Sequence, residues 1–320
     1  MVKLGLIGLG RMGANMRDRL RASGIEVVGY ALHPEGRDVA SLTELVEQLP
    51  APRAVWVMVP AGVPTRETVH RLAELLAEGD VVVDGGNSRY TDDQTHAELL
   101  GRRGIGYLDC GVSGGVWGRV NGYGLMVGGE QRHVERLMPV FDALRPEGPR
   151  DEGFVHAGTV GAGHFAKMVH NGIEYGLMQA YAEGFELLDA SEVVTDVGAV
   201  MKAWRRGTVV RSWLLDLLVL ALEADPKLAE LRGWVEDSGE GRWTVEEAIN
   251  HAVPLPVISA ALFARFSSRQ PNSPAMRAVA ALRQQFGGHA VQAVEEAQPV
   301  RPLDDASREV SRETPPDDSR

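Results

Sequence analysis

The sequence predicts a doubly wound parallel α/β sheet followed by an all-helical domain. Three observations carry this reading. Short β-branched runs alternate with amphipathic helical patterns through the first half. A cluster of glycines sits at the first strand–helix junction. Around Val160 glycine thins out, and helical periodicity dominates to about Gln285. Strands and helices alternating at this spacing place parallel strands side by side with helices covering both faces.

In chain order, residues 2–7, 25–30, 54–59, 81–84 and 105–108 read as buried strands. Residues 12–23, 65–77 and 92–102 read as the amphipathic helices between them. The expected division is a Rossmann-like domain over 1–160, an all-helical domain over 161–294, and a tail over 295–320. The tail contains Pro299, Pro302, Pro315 and Pro316, mixed charges and almost no large apolar side chain. It cannot offset its ordering entropy, so disorder is expected there. Residues 213–222 form the richest apolar stretch, yet they fall short of the roughly 18–20 residues of a membrane span and include Asp216.

The 320 residues are 44% hydrophobic and 24% charged, which is ordinary globular composition. The N-terminus runs straight into a strand-like segment, unlike a signal peptide. One cysteine, Cys110, fits a reducing compartment, so a cytoplasmic location is expected. The net charge of -11 makes nucleic acid and anionic membranes poor partners. An anionic substrate must therefore be caught by a local cluster of donors.

Gly8-Leu9-Gly10-Arg11-Met12-Gly13 is G-x-G-x-x-G between a strand and a helix. Gly8 permits the tight turn, Gly10 lets backbone approach a pyrophosphate, and Gly13 lets the helix pack on the sheet. The helix N-terminus adds free N–H groups and partial positive charge. A carboxylate is expected about 20 residues on, at the end of the second strand. That place reads Tyr30-Ala31-Leu32-His33-Pro34, with Arg37 close by. The choice between NADP and NAD stays open, and a deazaflavin hydride acceptor also has room.

Val112-Ser113-Gly114-Gly115 and Asp84-Gly85-Gly86-Asn87-Ser88 follow predicted strands. Ligands of open α/β sheets bind outside the carboxyl ends of strands. Ser113, Gly114 and Gly115 suit a carboxylate. Asn87 is placed to touch cofactor or substrate. Further on, Lys167, His170, Asn171 and Glu174 share one helical face. The interleaved Phe165, Met168, Val169 and Ile173 argue against a merely solvated Lys–Glu face, as does the poor helix propensity of His and Asn. No His/Cys/Asp cluster has metal-ligand spacing along the chain, so no metal is expected. A dinucleotide-binding protein without catalysis is the competing class; Lys167, Asn171 and Glu174 together argue against it.

These motifs, with Lys167-Met168-Val169-His170-Asn171-Gly172-Ile173-Glu174-Tyr175 and Gly241-Arg242-Trp243-Thr244, resemble the short bacterial form of the decarboxylating 6-phosphogluconate dehydrogenases, within the β-hydroxyacid dehydrogenase group. The resemblance spans about residues 1–293. It implies oxidative decarboxylation of 6-phosphogluconate to ribulose 5-phosphate, as in the pentose phosphate pathway and gluconate utilization. It implies Lys167 as general base and Glu174 as general acid. Asn87, Ser113, Gly114, Gly115, His170 and Asn171 would hold the carboxylate and hydroxyl end. Tyr175 and Arg265 would meet the phosphate, and Arg283 and His289 would reach it from the neighbouring subunit of a homodimer or higher homo-oligomer. Met12 and Asn15 would lie by the nicotinamide, and His33 by the adenosine end. The alternative is a dehydrogenase for another 3-hydroxy acid, which needs neither Arg265 nor Arg283.

Two departures bear on these expectations. Ser238 and Glu240 stand where longer family members carry a phosphate-binding lysine and threonine, so Glu240 is expected to point away or to pair with Arg242. Ala31-Leu32-His33 replaces the NADP-selecting segment, so coenzyme choice does not transfer.

Overall fold

The computed structural model describes residues 3–287 and 290–292. Seven strands form one sheet in the order β2-β1-β3-β4-β5-β6-β7. The first five are β1 (Lys3–Ile7), β2 (Glu26–Tyr30), β3 (Ala54–Val57), β4 (Val81–Asp84) and β5 (Gly106–Ser113), all mutually parallel. Side chains alternate faces along a strand. Leu4, Leu6, Ala54, Trp56, Val81 and Val83 accordingly enter one core, while Ile7, Val55, Val57 and Val82 enter the other. Helices cover both faces, as a parallel sheet requires. These include α1 (Arg11–Ala22), α2 (Leu42–Glu47), α3 (Val63–Leu75) and α4 (Tyr90–Gly101).

Two strands go beyond the sequence reading. β6 (Gly124–Gly129) runs antiparallel to β5, and β7 (Phe154–Gly158) runs parallel to β6. Glycine fills half of β6 and obscures its strand character. The short α5 (Gly118–Asn121) precedes β6, and α6 (Gln131–Leu144) follows it, burying Leu137, Val140 and Phe141. The sheet is therefore mostly parallel. The β5–β6 register sets Ser113 opposite Gly124 and so fixes where the Ser-Gly-Gly loop leaves the sheet.

Beyond the sheet the chain is helical. α7 (Ala162–Asp189) is 28 residues long, about 42 Å at the usual rise. It packs on β5 and β6, then on α8 (Val197–Trp204), α9 (Trp213–Ala224), α10 (Glu240–Asn250) and α11 (Pro256–Ser268). Leu215, Val219 and Leu222 of α9 join Val197 and Met201 of α8 in a small core. Trp213 and Leu220 stay exposed, as do Val257 and Phe263 of α11. The chain divides into two compact units between Arg269 and Gln270. In the second, α12 (Pro274–Gly287) is described. The tail 295–320 lies outside the described residues. Among the described residues, no helix is long and apolar enough to cross a membrane.

Candidate active site

The fingerprint forms the turn its glycines imply. Gly8 has φ 94, and a Cβ on Gly13 would lie 1.9 Å from the Gly8 carbonyl oxygen. Gly10 caps α1 with no side-chain hydrogen bond, nothing stands within 4 Å of its Cβ position, and the first turn holds no acid. The helix N-terminus is open and electropositive, which suits a pyrophosphate. It borders a cleft of about 890 Å³ lined by Gly8, Gly10, Met12, Gly13, His33 and Asn87 among others. At the end of β2, Ala31 and Leu32 line the cleft without offering charge. The nearby Asp38 is already committed: it accepts from the Gly29 N–H at 2.6 Å and from Arg21 at 2.5 Å.

A second cleft, of about 1120 Å³, lies between the Ser113–Gly115 turn and the predicted face of α7. Lys167, His170, Asn171 and Glu174 all line it, as do Tyr175 and Arg265. Met12 and Val112 line both clefts, so the two meet there. Lys167 Nζ donates to Asn171 Oδ1 one helical turn away. His170 Nδ1 is 3.3 Å from that same oxygen and 3.8 Å from Glu174 Oε2, while its Nε2 is 3.5 Å from Ser113 Oγ. Burial lowers the Lys167 pKa, and the carboxylates of Glu240 and Glu174 oppose that shift. Asn15 Nδ2 donates to the Val116 carbonyl at 3.4 Å, beside the Ser-Gly-Gly turn.

At the far end of the cleft, the Arg265 guanidinium stacks 3.4 Å from the Tyr175 ring centroid. It also donates to the Glu236 carbonyl at 3.1 Å, and the Tyr175 hydroxyl accepts from the Ser238 N–H at 3.3 Å. Arg283 lies exposed on α12 in the second compact unit. His289 lies outside the described residues.

A buried polar network invisible in the sequence seats α7. Asp109 accepts from the Gly161 and His164 N–H groups at 2.7 and 2.9 Å. Asp93 meets His164 Nδ1 at 2.9 Å and accepts from the Tyr107 hydroxyl at 2.7 Å. Ser88 donates to Asp84 at 2.7 Å. Burial alone would lower the His164 pKa, but Asp93 and the neighbouring carboxylates raise it to about 10. Burial raises Asp93 to about 6 against the pull of His164. The fold thus brings together two groups that chain spacing did not show: Asp84, Asp93 and His96, and Asp93, Asp109 and His164. Their carboxylates already accept from protein donors, so they act as a polar anchor one turn before Lys167.

Of the two places expected for Glu240, the pairing with Arg242 does not form. Arg242 pairs with Asp237 at 2.7 Å instead. Glu240 is 2% exposed, with Lys167 and His164 as the cations acting on it. Burial raises its pKa to about 7 against those cations and the Asn87 amide.

Comparison with known proteins identifies the family. Residues 3–145 match the model of the NAD binding domain of 6-phosphogluconate dehydrogenase, and residues 163–306 match that of its C-terminal domain. A Haloferax volcanii protein named as an NAD(+)-dependent, decarboxylating 6-phosphogluconate dehydrogenase is 43% identical over 91% of this chain and 98% of its own. A Bacillus subtilis chain bearing the same family name is 39% identical over 91% of this chain and 99% of its own. The solved Plasmodium falciparum 6-phosphogluconate dehydrogenase, described with NADP+ and with 6-phosphogluconate, aligns with a TM-score of 0.76 at 25% identity. That alignment covers 92% of this chain and 67% of the other. With matching models over both its sheet and its helices, and relatives alike along nearly their whole length, the chain belongs to the 6-phosphogluconate dehydrogenase family.

Proposed function

We propose that this chain oxidises 6-phosphogluconate at its 3-hydroxyl and releases carbon dioxide, yielding ribulose 5-phosphate. One observation carries the reading most: the Lys167–Asn171–His170–Glu174 face looks onto a cleft that joins the dinucleotide cleft at Met12 and Val112. When bound, the nicotinamide accepts the hydride from the substrate carbon. Burial keeps Lys167 accessible in its neutral form, so Nζ takes the hydroxyl proton. The resulting ketone lies β to the carboxylate. Protonated Lys167 then stabilises the charge that develops on the ketone oxygen as the carboxylate departs. Glu174 then delivers a proton to the carbon from which the carboxylate departed.

Asn87, Ser113, Gly114, Gly115, His170 and Asn171 serve the sugar-acid end. Tyr175 and Arg265 serve the phosphate. Gly8, Gly10, Met12, Gly13, Asn15 and His33 serve the cofactor, which is NAD or NADP. The decisive assay supplies purified protein with 6-phosphogluconate and NAD, NADP or a deazaflavin, and follows carbon dioxide. Equimolar carbon dioxide and reduced nicotinamide supports the reading. Oxidation without carbon dioxide points to a plain 3-hydroxy-acid dehydrogenase, and turnover with the deazaflavin alone reassigns the cofactor.

The same reading extends to domain and assembly. Residues 1–160 form the dinucleotide domain and 161–294 the substrate and dimerisation domain, in a cytoplasmic homodimer. The exposed Trp213, Leu220, Val257 and Phe263 support an interface. Arg283 and His289 would complete the partner's phosphate site. Mixing Lys167→Met with Arg283→Ala under subunit exchange should restore activity in the hybrid; no recovery despite exchange would mean each site is built from one chain.

A further inference from the structure

Glu240 opens α10 and is 2% exposed, yet it does not line the substrate cleft. Its place is held by a clamp between α10 and α7. Thr244 Oγ1 lies 2.9 Å from the Met168 carbonyl oxygen and 2.8 Å from the Glu240 carbonyl oxygen. A Cβ on Gly172 would come within 2.7 Å of Thr244 Cγ2, so only glycine there lets the helices close this far. One turn along α7 from Gly172, in the N-terminal direction, is Met168, and Lys167 precedes it. The charged groups acting on Glu240 all come from α7: Lys167, His164 and Glu174. The loop after β4 adds the neutral Asn87 amide.

A carboxylate buried to this degree is costly unless a cation answers it. The reaction uses Lys167 and Glu174 directly and leaves Glu240 unemployed. We propose that Glu240 is a positioning residue: the buried counter-charge that sets the proton affinity of Lys167 without touching substrate. This rests on Lys167 being the base. Burial favours the neutral amine and so lowers the proton affinity of the lysine. An ionised Glu240 restores part of that affinity and stabilises the ammonium after the proton moves from substrate oxygen to Nζ. Direction follows from sign: neutralising Glu240 must lower the Lys167 pKa further and weaken it as a base.

The chain has only four lysines, Lys3, Lys167, Lys202 and Lys227, so carbon-13 reductive methylation resolves each by NMR. The Lys167 signal is identified by its loss in Lys167→Met. In Glu240→Gln its midpoint should fall by about one pH unit, a tenfold loss of proton affinity, and the acid limb of kcat/KM should move down with it. Glu240→Asp, which retracts the carboxylate by one methylene, should shift it less. In the unaltered protein the Lys167 signal should show a second inflection near the Glu240 pKa of about 7, a test that needs no Glu240 variant to fold. A Lys167 midpoint unmoved in Glu240→Gln, or a wild-type curve without that inflection, overturns the proposal. The titration needs no turnover. Failure of the wild type to oxidise 6-phosphogluconate would therefore count against the function and not against the Glu240–Lys167 coupling.

Discussion

The guanidinium of Arg265 lies 3.4 Å from the centre of the Tyr175 ring, and the hydroxyl of the same ring accepts from the Ser238 N–H. Cation and ring are thus preassembled at one end of the cleft. Arg265 also donates to a backbone carbonyl, of Glu236, which orients it without neutralising its charge. Asp237, the residue after Glu236, is occupied by Arg242 and Arg269.

Arg265→Ala should therefore raise KM for the phosphorylated substrate by roughly ten- to a hundredfold, the value of a hydrogen bond or two to a charged group. Affinity for the dinucleotide should stay as it was. Arg265→Lys should restore little, because an ammonium neither stacks on the ring nor offers a planar fork. Steady-state kinetics against substrate concentration, with dinucleotide affinity measured alongside, checks both.

The Asp93–His164 pair is a stability element. Breaking a buried pair by neutralising one partner costs about 3–5 kcal/mol, so Asp93→Asn should lower the denaturation midpoint substantially. The pH dependence has a definite sign. His164 titrates at about 10 in the folded chain against an ordinary 6.5. Its contribution is complete below pH 6.5 and is lost progressively between 6.5 and 10. Asp93, raised to about 6, is ionised across nearly all of that window. Stability should fall through alkaline pH, and Asp93→Asn should flatten the fall. Urea titrations at several pH values measure this; a slope unchanged by Asp93→Asn would remove the pair from that role.

Glu174→Gln should reduce turnover far more than substrate affinity. The amide preserves shape and some hydrogen bonding but cannot deliver a proton to carbon. Release of the ketone intermediate, or a changed solvent isotope effect, is the expected signature. Turnover and isotope effect both equal to wild type would return Glu174 to a surface pair with His170.

Much of the site was legible because it is local. The Gly8–Gly13 turn and the Lys167–Glu174 face each lie within a few residues, where helical and turn geometry decide who meets whom. The predicted strands likewise followed from β-branched runs such as Val81-Val82-Val83. Long-range partners left no such trace. Asp93 and His164 are 71 residues apart, and nothing in either segment announces the other. β6 was hidden because Gly124, Gly128 and Gly129 read as a loop, although its pairing with β5 is what makes it a strand. For Glu240 the sequence suggests only that it points away from a phosphate or pairs with Arg242. Its burial depends on Thr244 closing against Gly172, a contact across 72 positions that only the folded helices make.

The most direct test of the chemistry compares single-turnover hydride transfer in the wild type and in Lys167→Met. Both would be loaded with the preferred nicotinamide and mixed with 6-phosphogluconate. Absorbance of the reduced nicotinamide and released carbon dioxide would be followed together. Removal of a general base costs about 10²–10⁴ in rate. The expected result is reduced cofactor and carbon dioxide in equal amounts from the wild type, and at least a hundredfold slower hydride transfer from Lys167→Met with dinucleotide affinity intact. Because burial lowers the Lys167 pKa, the wild-type rate should rise with pH through a midpoint below the ordinary lysine value of 10.5. Near wild-type hydride transfer in Lys167→Met, with the same pH profile, would contradict the assignment of Lys167 as the base.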